Sequence, residues 1–283
     1  MRPALCLLGC DMFEGNLNHA LDPAIGIEIF HNFTLIHDDI MDQAPIRRGR
    51  ETVYKKWNQN VAILSGDTMM ALAYDYIIKA PESSRTEVLS TFNTTAIEVC
   101  EGQQYDMNYE TQEQVTIPDY IEMIRLKTAV LLGASLKIGA LIAGAQDEDA
   151  DKLYSFGENI GIAFQLKDDL LDAFSDEKKF GKMKGGDIVT NKKTFLYIKA
   201  FELAKDENLD NLRGLFSNKQ VDPASRINGV LQVYDKLNIH QVTENEILKF
   251  YQKAMVCLGN IKIDGNKKTT LIGFADQLSK RSF

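Results

Sequence analysis

Proline is scarce in this chain, 6 in 283 residues, and no stretch of useful length alternates at the strand period. Both shortages set a sheet-based fold aside and leave long apolar-periodic segments that read as helices. The 4 cysteines, Cys6, Cys10, Cys100 and Cys257, make no CxxC pair and no framework spacing. That excludes a disulfide scaffold and reads as reduced core thiols of a cytoplasmic protein. Positive charge is short as well: a net charge of −8 argues against general nucleic-acid binding, although a local basic patch stays open. No apolar run reaches the length of a membrane span, and the stretch 4–8, soon followed by Asp11 and Glu14, is too short for a secretory signal. A GxxxxGK[ST] loop is missing, which speaks against nucleoside triphosphates, and no nucleophile motif is visible.

What is present is a repeated acidic turn. His37-Asp38-Asp39-Ile40-Met41-Asp42 is answered by Asp168-Asp169-Leu170-Leu171-Asp172 at the same spacing. Residues four apart on a helix point the same way, so Asp38 with Asp42, and Asp168 with Asp172, each form a two-carboxylate face. Apolar stretches precede both copies, which predicts a confined, partly dry setting where unpaired charge is costly. A cation is needed there. Mg²⁺ fits, because it takes oxygen ligands and shares one or two carboxylates with water and substrate phosphate. Without a His or Cys cluster, zinc and softer metals are disfavoured. One such turn alone would more simply be a solvated helix face; two copies, each followed by basic residues, favour metal sites.

Periodicity and turn residues predict helices over 16–41, with Pro23 near the start, over 61–80, ended by Pro81, and over 84–109, 118–144 and 149–174. Four or five shorter helices follow, with turns at 218–222 and 260–266. The small residues of Ser65-Gly66-Asp67 predict close helix contact, with Asp67 as a core hydrogen-bonding group. The expected architecture is all-α: a single domain over 1–283, a bundle of ten or more helices with the two acidic helices facing each other across a central cavity.

The chain also supplies cations. Arg47 and Arg48 follow the first acidic turn, Lys127 and Thr128 sit mid-helix, and Lys182, Lys184, Lys192 and Lys193 follow the second. Arg grips phosphate through a planar fork, whereas Lys acts as a mobile point charge. Solvated surface is the simpler reading for most of them. Lys127 lies in a mostly apolar stretch and wants a partner, either a phosphate or a carboxylate of the bundle itself. Metals, phosphate clamps and an apolar cavity suit a reaction in which diphosphate leaves and carbon becomes cationic.

In order, HDDIMD, RRG, GQxxD, KT, FQxxDDLLD, GKxxGGDI and NKKT, over about residues 3 to 195, resemble the trans-isoprenyl diphosphate synthases, also called polyprenyl synthetases. The resemblance implies a short-chain all-trans prenyl diphosphate synthase. Such an enzyme condenses isopentenyl diphosphate with dimethylallyl, geranyl or farnesyl diphosphate, usually as a homodimer using three Mg²⁺ ions. Carried over, Asp38, Asp42 and Asp168 become metal ligands essential to catalysis, with Asp39, Asp169, Asp172 and Asp187 joining directly or through water. Arg47, Lys127, Thr128, Gln165, Lys182 and Lys192 contact the allylic diphosphate; of these Arg47, Lys127 and Lys192 also serve catalysis. His31 and Arg48 match contacts to isopentenyl diphosphate, and Gln103 and Asp106 lie near the reacting carbons. Read alone, His31 would be a satisfied core histidine.

Members of that family carry a GGKR segment just before the pair seen here as Arg2-Pro3, so the resemblance implies that the chain begins inside its native domain and binds isopentenyl diphosphate weakly. Product length is expected to follow from Phe33, Thr34 and Phe30 upstream of the first acidic turn, which look most like a fifteen- or twenty-carbon producer. Two alternatives stay open: a class I terpene cyclase, which would not require isopentenyl diphosphate, and a non-catalytic subunit of a heteromeric prenyl synthase.

Overall fold

The computed structural model describes residues 1–174, 185–218 and 220–279. α1 (Arg2–Met12) leads into α2 (Leu17–Met41), whose start is set by Asn16 accepting from the Asn18 N–H at 3.0 Å. A two-stranded antiparallel hairpin, β1 (Ile46–Arg47) and β2 (Arg50–Glu51), precedes α3 (Val53–Lys56). α4 (Gln59–Ile77) is capped by Asn58, which accepts from the Val61 N–H at 2.9 Å, and α5 (Arg85–Thr111) follows. α6 (Ile117–Ile124) opens with a capping box between Thr116 and Asp119 and with Pro118 in the first turn. Capping side chains of this kind contribute about 0.5–2 kcal/mol each.

The helix expected over 118–144 is not uniform. Arg125–Ala129 is a π-helical turn between α6 and α7 (Val130–Ile142). α8 (Asp147–Phe174) is followed by α9 (Gly186–Val189), α10 (Phe195–Leu203), α11 (Asp206–Ser217), α12 (Pro223–Lys236), α13 (Ile239–Gly259) and α14 (Gly265–Ser279). The described residues are therefore all-α apart from the hairpin, with more short C-terminal helices than expected. Pro23 lies inside α2 beyond its first turn, so it is not a start signal; lacking an N–H, it leaves the His19 carbonyl without its usual donor.

Contacts divide the chain into two compact units: Met1–Thr95 with Leu131–Tyr154 and Ile261–Ile263, and Ala96–Val130 with Ser155–Asn260 and Asp264–Phe283. In the first, Gly26 of α2 lies against the Ala73 carbonyl of α4, and Gly139 of α7 lies against the Cys6 carbonyl of α1. Backbones approach closely there because neither glycine carries a side chain. Ala24, Ile27, Phe30, Ala73 and Ile77 are buried in this unit. The second is built on Tyr120, Ile124, Leu166, Leu170, Phe195, Tyr234 and Ile239. Burying side chains of this size contributes about 1.5–3 kcal/mol each.

No helix among the described residues is long and apolar enough to cross a membrane. Cys6 and Cys10 are buried, but Cys100 is exposed and Cys257 half-buried, so the core-thiol expectation holds for α1 alone.

Candidate active site

The first acidic turn closes α2. Asp38 is half-buried and Asp42 is the exposed cap residue one turn on, its N–H bonded to the Asp38 carbonyl at 2.8 Å. Between them Asp39 is only 4 % exposed and accepts from Arg47 Nε at 2.7 Å. The hairpin is what returns Arg47 to the helix end. His37 packs on α4 at Gly66, where any Cβ would overlap the imidazole. Gly66 therefore takes the face of α4 turned to α2, and its neighbour Asp67, with a side chain 61 % exposed, lies at the rim with Oδ1 3.8 Å from His37 Nε2. The expectation that Asp67 is a core group is corrected accordingly.

Upstream on α2 the charges are cationic. Burial, then the nearby Arg2 and Arg48 guanidinium groups, lower the His31 pKa to about 3, which keeps the ring neutral at ordinary pH. Arg2 Nε is enclosed and has no hydrogen-bond partner among the described residues. Burial, offset in part by Glu28, brings its pKa down to about 10. A cluster of like charge with an enclosed donor is poised for an anion. Sequence reasoning missed Arg2, since nothing in its local pattern shows that α2 would bury it.

Phe30 is fully buried, with its ring centroid 5.6 Å from Phe33 and 5.3 Å from Phe92 of α5; Phe92 in turn meets Tyr74 of α4 at 5.1 Å. Thr34 is half-buried and donates to the His31 carbonyl at 2.8 Å. Phe92 and Tyr74 thus belong with Phe30 and Phe33, a grouping that spacing along α2 could not reveal.

In the second unit, Asp168 and Asp172 are half-buried near the end of α8, whereas Asp169 is 6 % exposed. Its Oδ1 accepts from Gln165 Nε2 at 3.0 Å and its Oδ2 from the Tyr120 hydroxyl. Burial first, then the charge of Asp187, push this carboxyl well above the usual carboxylate range. Residues 185–187 meet the end of α8: the Asp187 N–H donates to Asp172 Oδ2 at 3.0 Å and the Gly185 N–H to the Asp172 carbonyl at 2.8 Å. Asp169, Asp172, Asp187, Lys192, Thr194 and Tyr234 line a cleft of about 10 Å³, room for roughly one water-sized body.

Among the described residues no three His, Cys, Asp or Glu side chains converge into a metal cage. An oxygen-only set of this kind fits Mg²⁺ nonetheless, because that ion keeps several waters and relies on one or two carboxylates plus phosphate oxygens.

The lysines meet on α5. Asp106 accepts from Lys127 Nζ at 2.6 Å and lies 3.6 Å from Lys192 Nζ. Burial opposes ionisation of Asp106, yet the two ammonium charges prevail and its pKa is lowered. Lys127 occupies the π-helical turn, and Gly102 makes room for it: a Cβ at 102 would overlap the Lys127 backbone nitrogen. Thr128 on the same turn donates to Gln165 Oε1 at 3.3 Å. Gln103 is buried. Lys193 instead donates to the Tyr109 carbonyl at 2.7 Å and to that of Gln112, closing the end of α5.

The polyprenyl synthetase sequence model matches residues 1–233. This chain belongs to that family. It is 44% identical over 205 residues to the geranylgeranyl diphosphate synthase of Methanosarcina mazei, covering 71% of this chain but 63% of that protein. With the Sulfolobus acidocaldarius protein of the same name it shares 36% identity over 267 residues, 92% of this chain and 80% of the relative. A crystal structure of a geranylgeranyl pyrophosphate synthase superposes with a TM-score of 0.93 at 39% identity, covering 100% of this chain and 87% of the other.

As a polyprenyl synthetase, the chain gathers several of its motifs pairwise: Asp39 with Arg47, Asp172 with Asp187, Thr128 with Gln165, and Lys127 with Lys192 on Asp106. Arg48 sits at the hairpin turn with a left-handed φ of 51°, an uncommon conformation for a side chain of its size, and its charge reaches both His31 and Arg2. Lys182 and Lys184 lie outside the described residues.

Proposed function

We propose that this polyprenyl synthetase is a short-chain all-trans prenyl diphosphate synthase that joins isopentenyl diphosphate to an allylic diphosphate. The observation that carries the proposal is Asp106, which holds Lys127 and Lys192 together, Lys192 sharing a cleft with Asp169 and Asp172 of the second acidic turn. Such groups bind and ionise a diphosphate, and they include no nucleophile. Asp38 and Asp42 on α2, with Asp168 and Asp172 on α8, would hold Mg²⁺, three ions in all. When bound, the metal neutralises charge building on the departing diphosphate.

The chain's own residues do the rest. Lys127, Thr128 and Lys192 orient the allylic diphosphate, and Arg2, His31 and Arg48 hold the isopentenyl one. The allylic C–O bond breaks with its electron pair going to diphosphate. The isopentenyl double bond then forms the new C–C bond, and the resulting cation loses a proton to the released diphosphate. Aromatic and aliphatic walls exclude water from the cationic carbon.

Phe33 and Phe30, backed by Phe92, set the product at fifteen to twenty carbons, with twenty favoured. Supplied with Mg²⁺, isopentenyl diphosphate and each short allylic primer in turn, the protein is expected to yield such a product by mass. Phe33→Ala, alone or with Phe30→Ala, should lengthen it by at least one five-carbon unit. Turnover of primers without isopentenyl diphosphate would sink the proposal, and an unchanged product in both variants would misplace the chain-length residues.

His31 provides a pH test. Its folded pKa, about 3 against an ordinary 6.5, means that only the unfolded chain takes up a proton between those values, so stability falls as pH drops below 6.5. A bound diphosphate offsets Arg2 and Arg48 and raises the His31 pKa. At about pH 5.5, calorimetry in two buffers should therefore show greater proton uptake on diphosphate binding for the wild type than for His31→Gln; equal uptake would contradict the assignment.

The exposed apolar stripe of α4, Val61 at 39%, Leu64 at 65% and Leu72 at 44%, lies on one helical face and suits a second copy of the chain, the expected homodimer. The family match runs through residues of both compact units, which supports one polyprenyl synthetase domain.

A further inference from the structure

We infer that Tyr120 is a positioning residue for the second acidic turn: with Gln165 it occupies both oxygens of Asp169, making that carboxylate an anchor for the end of α8 and not a metal ligand. This rests on reading Asp168 and Asp172 as Mg²⁺ ligands.

Tyr120 is 1 % exposed, its ring packed in the core of the second unit and its hydroxyl on Asp169 Oδ2. Gln165, one turn earlier on α8, donates to Asp169 Oδ1 at 3.0 Å and accepts from Thr128 at 3.3 Å. The chain Thr128, Gln165, Asp169, Tyr120 thus starts and ends on the α6 and π-turn segment. It grips α8 at two successive turns.

Successive residues on a helix point about 100° apart. With Asp169 tied inward, Asp168 and Asp172, four residues apart, share the neighbouring face, and both are half-buried. A small rotation of α8 about its axis would carry both carboxylates away together, and the two-armed tie to Asp169 opposes it. The first acidic turn has the same plan by other means: Asp39 is 4 % exposed and tied by Arg47 Nε at 2.7 Å, between the less buried Asp38 and Asp42. In both turns the second aspartate is the enclosed one, and a side chain from a neighbouring segment holds it.

The test uses Tyr120→Phe, which keeps the buried ring, and Asp169→Asn, which keeps an acceptor for the phenol, with Asp168→Asn as reference. Mg²⁺ and inorganic diphosphate are titrated calorimetrically without turnover, alongside the KM for isopentenyl diphosphate and the melting temperature. Tyr120→Phe is expected to weaken Mg²⁺ binding about 10-fold or more, the usual effect of losing a group that orients a ligand. The isopentenyl KM should stay unchanged. Asp169→Asn should lose no more than Tyr120→Phe, while Asp168→Asn loses the metal binding of the second turn and keeps that of Asp38 and Asp42. Wild-type affinity in Tyr120→Phe with only a lower melting temperature would assign the residue to packing and overturn the inference. An Asp169→Asn variant as damaged as Asp168→Asn would overturn it too, by making Asp169 a ligand. Wild-type affinity in Asp168→Asn would instead overturn the metal reading beneath it.

Discussion

Asp168→Asn is expected to lower kcat by about 1000-fold or more while leaving the melting temperature close to that of the wild type. The side chain keeps its shape, so packing of the half-buried residue is preserved. On the proposed reading, what is lost is a full negative charge that would face a divalent cation. Charge neutralisation of that kind is worth several kcal/mol in the transition state, and each 1.36 kcal/mol is tenfold in rate. Stability is expected to change little, because the amide has the size and shape of the carboxylate it replaces. Asp38→Asn should behave alike on the first turn. A parallel fall in activity and melting temperature would mark Asp168 as structural, and steady-state kinetics with differential scanning fluorimetry separates the outcomes.

Gly102→Ala should cost about 100-fold in kcat/KM and several degrees of melting temperature. An added Cβ meets the Lys127 nitrogen, Lys127 Cα and the Leu126 carbonyl carbon, all backbone atoms that cannot swing aside. Overpacking of this sort costs about 1–3 kcal/mol. To relieve it α5 and the π-helical turn must separate, which loosens Lys127 from Asp106. A shift near 1 Å in a positioned group is worth about 100-fold in rate. Gly214→Ala on α11 is the control: nothing lies within 4 Å of its added methyl, and helix propensity predicts a gain of about 0.5–1 kcal/mol. Full activity in Gly102→Ala would show that the helix can relax without moving Lys127.

Much of this was legible in the chain. The apolar period from Asn16 marked α2, Pro118 marked the start of α6, and the four-residue spacing of the aspartates placed Asp168 and Asp172 on a single face. Sequence reasoning left Lys127 wanting either a phosphate or a carboxylate of the bundle; without ligand, the structure gives it Asp106. Other features were out of reach because they depend on what packs where. A π-helical turn uses the same residue types as an α-helix, so no period announces it at Arg125–Ala129. Within each acidic turn, which aspartate goes inward depends on partners distant in the chain, Arg47 from the hairpin and Tyr120 from α6. Arg2 and Phe92 gain their places through burial against α2, which no local pattern encodes.

The central claim is that the two acidic turns hold divalent ions for a departing diphosphate. Anomalous scattering from a crystal soaked in Mn²⁺ and a bisphosphonate tests it most directly. The account predicts metal peaks about 2.1 Å from carboxylate oxygens of Asp38, Asp42 and Asp168, the spacing expected for the smaller Mg²⁺ within a few tenths of an ångström. Peaks elsewhere, or a bound bisphosphonate with no metal at these aspartates, would contradict it.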